Sequence, residues 1–189
     1  MKTSTVSSGK YLTKFSALIT LFLLTCISLT SCSGDDSNTT ETSTTPPISS
    51  GTKAPEFNLN SSDGKQVKLS DYNGKVVVLF FFGNTCPSCK AAAPSIESKL
   101  TTPYASNPNY QIIGLDQWDG NLAAVQSFRT STGVSFPLLL TASPVAASYK
   151  TTYDRLIVIN KTGDIAFTGT KGAASDADAA KAVVDQLLK

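Results

Sequence analysis

Residues Val76 to Phe82 read VVVLFFF, an apolar run with no alternation. A strand wetted on one face alternates apolar with polar residues, and one covered on both faces does not. The run therefore predicts a buried central strand of an α/β sheet, with layers on both sides. Gly83-Asn84-Thr85 follows as a short turn, then Cys86-Pro87-Ser88-Cys89, then a helix-like run to about Leu100. Pro87 suits a first helical turn, and Pro94 is expected to kink the helix. A cysteine at the junction of a buried strand and a helix N-terminus lies among unpaired N–H groups at the positive end of the helix dipole. That setting favours the thiolate, the reactive form of the side chain. The stretch from Phe80 to Lys90 thus reads as a thiol–disulfide site. Cys86, expected to be the more exposed thiol, is the candidate nucleophile, and Cys89, one helical turn on, is the candidate resolving thiol.

Composition narrows the chemistry further. The chain of 189 residues contains no histidine, which removes Ser-His-Asp and Cys-His catalysis and the commonest transition-metal ligand. Its four cysteines are Cys26, Cys32, Cys86 and Cys89. A closed zinc site wants four nitrogen or sulfur ligands, and the first two cysteines lie in or beside the leader, so no metal and no cofactor is expected. The net charge of +2, without a basic cluster interleaved with aromatics, gives no reason to expect a nucleic-acid partner.

Three regions are expected. In residues 1–32, Lys2, Lys10 and Lys14 precede the apolar run Phe15 to Leu29, which is short for a membrane span of about twenty residues. Leu29-Thr30-Ser31-Cys32 resembles a bacterial lipobox, making this a lipoprotein signal peptide that ends in an acylated Cys32. Cys26 is a poorer match, and an ordinary signal peptide or uncleaved anchor is the plainer alternative. Dual or triple acylation of Cys32 gives stable membrane attachment. Ser33-Gly34-Asp35-Asp36 resembles the acidic signal that sends some bacterial lipoproteins to the cell surface, and a solvated acidic linker accounts for it equally well. Residues 33–50, rich in Ser, Thr and Pro, form a flexible tether.

Residues 51–189 are the folded domain. Asp63-Gly64 predicts a β-hairpin, with Phe57 and Leu59, and likewise Val67 and Leu69, on one face. Strands are expected at Val76 to Phe82, Tyr110 to Leu115, a short piece at Phe136 to Leu140, Arg155 to Asn160, and Ile165 to Thr170 after a turn at Lys161 to Asp164. Asn121 caps a helix that buries Leu122, Val125 and Phe128 and ends at Gly133. Pro144 to Tyr149 is a small helix, and Asp176 to Leu188 an amphipathic closing one. The order predicts a central mixed sheet flanked by helices, with the hairpin as an N-terminal extension.

Several motifs together resemble the thioredoxin-like superfamily, in its TlpA-like, AhpC/TSA-type branch. Besides Cys86-Pro-Ser-Cys89 they are Ala54-Pro-Glu-Phe57 with Leu59, Leu69-Ser-Asp-Tyr-Asn-Gly-Lys-Val-Val-Val-Leu79, Pro94, Gly133-Val-Ser-Phe-Pro-Leu-Leu-Leu140 and Ile157-Val-Ile-Asn-Lys-Thr-Gly163. The resemblance implies a thioredoxin-like fold over 51–189. It also implies a thiol-disulfide oxidoreductase of the bacterial cell envelope, acting on a protein or small-molecule thiol or disulfide and recharged by an upstream thiol reductant. Three departures stand out. Thr85 replaces the aromatic residue that usually precedes the first cysteine. Tyr153-Asp154-Arg155 replaces the cis-proline loop, and Pro137 belongs to an earlier segment. Phe80 replaces the polar residue often found six positions before the first cysteine, leaving Asp116, Asp119 and Asp154 as candidate proton acceptors, each with a solvated loop acid as the plainer reading. With no imidazole present, the helix terminus, Lys90 or one of these acids must tune Cys86. Two alternatives stay open. A peroxiredoxin-like thiol peroxidase would use Arg155, although Gly83 stands where such enzymes place a threonine. A surface binding module on the same scaffold would use Trp118.

Overall fold

The computed structural model describes residues 51–189. The expected signal peptide, Cys26, Cys32 and the 33–50 tether lie outside the described residues.

Strand β4 (Val76–Phe82) is buried at every position. It pairs in parallel with β5 (Tyr110–Asp116) and antiparallel with β7 (Arg155–Ile159), so that Val78 lies between Ile112 and Val158. The sheet is completed by β6 (Leu138–Leu139) beyond β5, and by β8 (Asp164–Thr168) and β1 (Thr52–Lys53) beyond β7. The period-two alternation of β4 is present but hidden, because both faces meet apolar layers. Val76, Val78, Phe80 and Phe82 share one cluster with Ile96 of helix α1 (Pro87–Ile96), Phe128 of α2 (Leu122–Thr132) and Val183 of α4 (Ala173–Leu187). Val77, Leu79 and Phe81 share the other with Phe57, Val67, Leu69 and Tyr149, the last just after α3 (Ser143–Ser148). Phe82 packs against Phe128 at 4.3 Å between ring centroids, and Phe81 against Tyr149 at 5.6 Å, both with tilted planes. Deleting any of the three phenylalanine rings is worth about 3–5 kcal/mol by analogy with other buried aromatics.

The hairpin of β2 (Asn58–Asn60) and β3 (Gln66–Lys68) forms as expected, its turn closed on the Ser61 hydroxyl, which accepts from Asp63 N and Lys65 N. Two further backbone bonds, Ser62 N to Leu138 O and Leu140 N to Asn60 O, lay it against β6 and cover that sheet edge. Among the described residues no helix is long and apolar enough to cross a membrane.

Four details depart from expectation. Strand β1 exists because Thr52 and Lys53 pair with Ile165 and Asp164, a contact that no local pattern announces. Helix α4 begins at Ala173, since two carboxylates organise its entry: Asp154, from the loop before β7, accepts from Ala173 N, and Asp176, from the first turn of α4 itself, accepts from Lys171 N. Leu122 is 47 % exposed at the first position of α2, so only Val125 and Phe128 carry that helix's apolar contact. Helix α1 keeps its α winding past Pro94 to Ile96 and then loosens into a π turn over Glu97–Thr101. Pro94 has no N–H to give, and the wider winding follows it.

Tyrosines tie the layers together. Tyr104 donates to Asp185 of α4, Tyr110 to Leu100 O and Tyr149 to Pro55 O. Burial first, then the hydrogen bond to Asp185, pushes Tyr104 up to about 12. Burial likewise raises Tyr110 and Tyr149. A phenol whose folded pKa exceeds its unfolded value of 10.0 keeps its proton in the folded state after the unfolded chain has released its own. The stabilisation is complete below that value and is lost as pH rises. The urea midpoint is therefore expected to fall between pH 10 and about pH 12. Tyrosinate absorbance should appear together with loss of helical circular dichroism, and Tyr104→Phe should flatten that limb.

Candidate active site

Strand β4 delivers its last residue, Phe82, to one end of the sheet, where β5 also ends and β7 begins. Phe82 O accepts from Gln117 N, carrying the ladder one step further. The chain then turns tightly, Cys86 N donating to Gly83 O at 3.0 Å. Cys86 is the N-cap of α1, in extended backbone geometry, with Pro87 as the first helical residue. Its sulfur lies 3.1 Å from Cys89 N and 3.2 Å from Ser88 Oγ. Cys86 and Cys89 are joined as a disulfide with Cα atoms 5.3 Å apart.

Cys86 is not the exposed thiol that its place in the turn predicts. Cys86 is 1 % exposed and Cys89 0 %. Both sulfurs belong to the core cluster that holds Phe80 and Phe82. The two cysteines differ instead in position: Cys86 caps the helix between exposed Thr85 and exposed Pro87, whereas Cys89 points inward from the first turn.

Of the three acids considered as proton acceptors, none has a hydrogen bond to either cysteine. Asp116 is not a solvated loop acid: it is fully buried at the end of β5. Its Oδ1 accepts from Asn84 N at 3.0 Å and Trp118 N at 3.3 Å, its Oδ2 from Gly120 N at 2.7 Å, and both accept from Asn84 Nδ2. One carboxylate thus ties the turn before Cys86 to the loop after β5. Gly120 makes the approach possible, because a β-carbon there would overlap the Asn84 amide. Asp119, at a left-handed φ of 51°, accepts from Ser143 N and Ser143 Oγ at the start of α3. Asp154, at φ 57°, holds the start of α4. Arg155 Nη1 donates to the carbonyls of Asp154 and Lys171. Lys90 meets Cys86 through its backbone N–H, which bonds Cys86 O. Among the described residues no group of three Cys, Asp or Glu side chains is arranged to hold a metal ion.

Trp118 lies against Gly83. A β-carbon on Gly83 would run into the indole, so only glycine leaves the ring its seat. The ring edge meets Tyr153 at 5.0 Å between centroids, with planes 76° apart. Tyr153 comes from the loop before β7, the segment that lacks the proline of thioredoxins.

The sequence model of the AhpC/TSA family matches residues 50–168. The chain belongs to the AhpC/TSA family. It is 34% identical over 93 residues to the thiol-disulfide oxidoreductase ResA of Bacillus subtilis, a match that covers 49% of this chain and 50% of ResA. A candidate peroxiredoxin of Mycobacterium tuberculosis is 31% identical over 93 residues, 49% of this chain and 57% of that protein. The chain spans about half the length of the curated relatives it matches. A solution structure from Bacteroides thetaiotaomicron, reported as a candidate protein disulfide isomerase, superposes with a TM-score of 0.67 at 29% identity, covering 75% of this chain and 91% of that one. The fold is thioredoxin-like, as the motifs implied.

Within this AhpC/TSA-family scaffold, three contributors escaped the sequence reading. Asn84 and Gly120 matter only through Asp116, and Gly83 through Trp118. An acid closing an otherwise apolar strand, Ile112-Ile113-Gly114-Leu115-Asp116, was the one available signal for the first pair. Nothing local links Gly83 to a tryptophan 35 positions further along the chain.

Proposed function

We propose that this protein is a thiol–disulfide oxidoreductase that works through Cys86 and Cys89, and that lipid on Cys32 holds it to a membrane of the bacterial cell envelope. The observation that carries the redox reading is the N-cap geometry: the sulfur that would attack sits on Cys89 N–H, at the positive end of α1. The same contact that accompanies the disulfide stabilises a thiolate once the pair is reduced. The similarity to ResA and to the Bacteroides structure supports the reading.

In the reducing direction the Cys86 thiolate attacks one sulfur of a partner disulfide. A Cys86–partner bond forms, and the partner's other sulfur leaves as a thiolate. The Cys89 thiolate then attacks Cys86 Sγ, closes the intramolecular disulfide and expels the second partner thiolate. Two electrons pass from the dithiol to the partner, and the protons released by the cysteines go to the partner thiols through solvent. An upstream thiol reductant restores the dithiol by the reverse sequence.

A thiol peroxidase is the second reading, motivated by the similarity to the mycobacterial candidate peroxiredoxin. Against it stand Gly83, which offers no hydroxyl three residues before Cys86, and Arg155, whose Nη1 is taken up by backbone carbonyls. Equilibration in glutathione or dithiothreitol buffers, quenched by thiol alkylation, is expected to give a reversible two-electron transition with a tenfold change per about 30 mV. Stopped-flow mixing of the reduced protein with hydrogen peroxide is expected to give a rate no greater than that of a free thiol. A pair that resists reduction sinks the oxidoreductase reading, and fast peroxide consumption favours the peroxidase.

A further inference from the structure

The three exposed large hydrophobic side chains among the described residues are Trp118, Leu122 and Tyr153, and two of them form one patch beside the disulfide. Trp118 is 42 % and Tyr153 40 % exposed, although each is held in place from behind. The Trp118 loop is fastened on both sides of the ring, since Trp118 N and Gly120 N both donate to buried Asp116. Tyr153 precedes Asp154, whose carboxylate is fixed on α4. Large aromatic faces presented to water on rigid loops lose little entropy when something binds them.

We propose that Trp118 and Tyr153 form the substrate-reading ledge of the site, and that they select polypeptide disulfides carrying an apolar side chain next to the cysteine. This rests on the thiol–disulfide reading above. The ring touches Gly83, and Gly83 O is 3.0 Å from Cys86 N. A partner sulfur brought onto Cys86 must meet the turn itself, because Cys86 is almost wholly covered and only its neighbours Thr85, Pro87 and Ser88 are exposed. Successive Cα atoms of a polypeptide are 3.8 Å apart. A side chain one or two residues from the partner's cysteine therefore falls on the indole and phenol. The exposed residues beside Cys86, namely Thr85, Pro87 and Ser88, are uncharged. These three offer no charge to a small ionic disulfide, while the ledge, although flanked by Asp119 and Asp154, whose carboxylates are engaged by Ser143 and Ala173 N, offers aromatic area to an apolar group. The position that would carry an aromatic residue before the first cysteine is Thr85 here, so the aromatic surface at this site comes instead from two other loops.

The test uses two otherwise identical peptides, each a mixed disulfide with 2-mercaptoethanol, with Phe or Ser beside the cysteine. The reduced full-length protein is mixed with each, and second-order rate constants are read by quenching and mass spectrometry. The Phe peptide is expected to react about tenfold faster than the Ser peptide, a typical aromatic hot-spot effect. Trp118→Ala should bring that ratio to within about twofold, and Tyr153→Ala should lower it by part of that amount. Gly83→Ala, which keeps the indole but displaces it, should also lower the ratio. A wild-type ratio near one, or an equal slowing of both peptides in Trp118→Ala, overturns the ledge and leaves the redox reading standing. Failure of both peptides, and of 2-hydroxyethyl disulfide, to react with the wild type overturns the redox reading and the ledge with it.

Discussion

With Cys89 replaced by serine, the protein is expected to accumulate as a mixed disulfide on Cys86, and steady-state exchange to fall by about a thousandfold or more. The reason is positional. Cys89 is the only described thiol within reach of Cys86, its Cα 5.3 Å away, and without it the second displacement has no nucleophile. The adduct should survive alkylation, map to Cys86 by mass spectrometry and disappear with dithiothreitol. Cys86→Ser provides the contrast. Serine is itself a good N-cap, so helix α1 keeps its start and the fold is retained. Cys89 lies in the first turn of α1, behind the N-cap position that Cys86 holds between exposed Thr85 and Pro87, and should collect no adduct. Adducts on Cys89 in Cys86→Ser, and none on Cys86 in Cys89→Ser, would reverse the two roles. Absence of adducts from both variants would remove the exchange mechanism altogether.

What the sequence made legible was whatever its own neighbours determine. Seven apolar residues without alternation could only be a strand covered on both faces, and β4 is that strand. Asn121 and Gly133 bounded α2 because capping is local chemistry: Asn121 Oδ1 accepts from Ala124 N, and Gly133 takes the left-handed φ of 72°. The Asp63-Gly64 turn set the hairpin for the same reason. The failures were non-local. Strand β1 is two residues long and exists only against β8. The start of α4 depends on Asp154, in a different loop. The cysteine pair was found from its spacing and its place between the apolar run and a helix start, but its near-complete burial was not, because the layers that cover it come from distant parts of the chain. Asp116 was a candidate proton acceptor because Phe80 leaves the central strand without a polar residue; its solvated-loop alternative fails, since the structure buries it among backbone and amide donors.

That arrangement sets the second large effect. Asp116→Ala is expected to destabilise the domain by about 3–5 kcal/mol, because it leaves buried donors without an acceptor. The donors are the N–H groups of Asn84, Trp118 and Gly120 and the Asn84 amide. A buried unpaired donor costs about 1–3 kcal/mol, and water entering the space left by the carboxylate recovers part of the sum. For a domain of this size the melting temperature should drop by about 10 °C or more. Asp116→Asn keeps the shape and one carbonyl acceptor but turns an NH2 group toward other donors, so about 1–3 kcal/mol is expected. The measurement is urea unfolding of each variant in both the oxidised and the reduced state. If Asp116 acts as scaffold, both states lose stability alike and the midpoint potential moves by less than about 30 mV, since the potential reports only the difference between them. A potential that moves further while the melting temperature holds would give Asp116 a direct part in redox tuning. A loss under 1 kcal/mol in Asp116→Ala would mean that the two loops beside the disulfide hold their places without it, and the rigid seating of Trp118 on Gly83 would then need another cause.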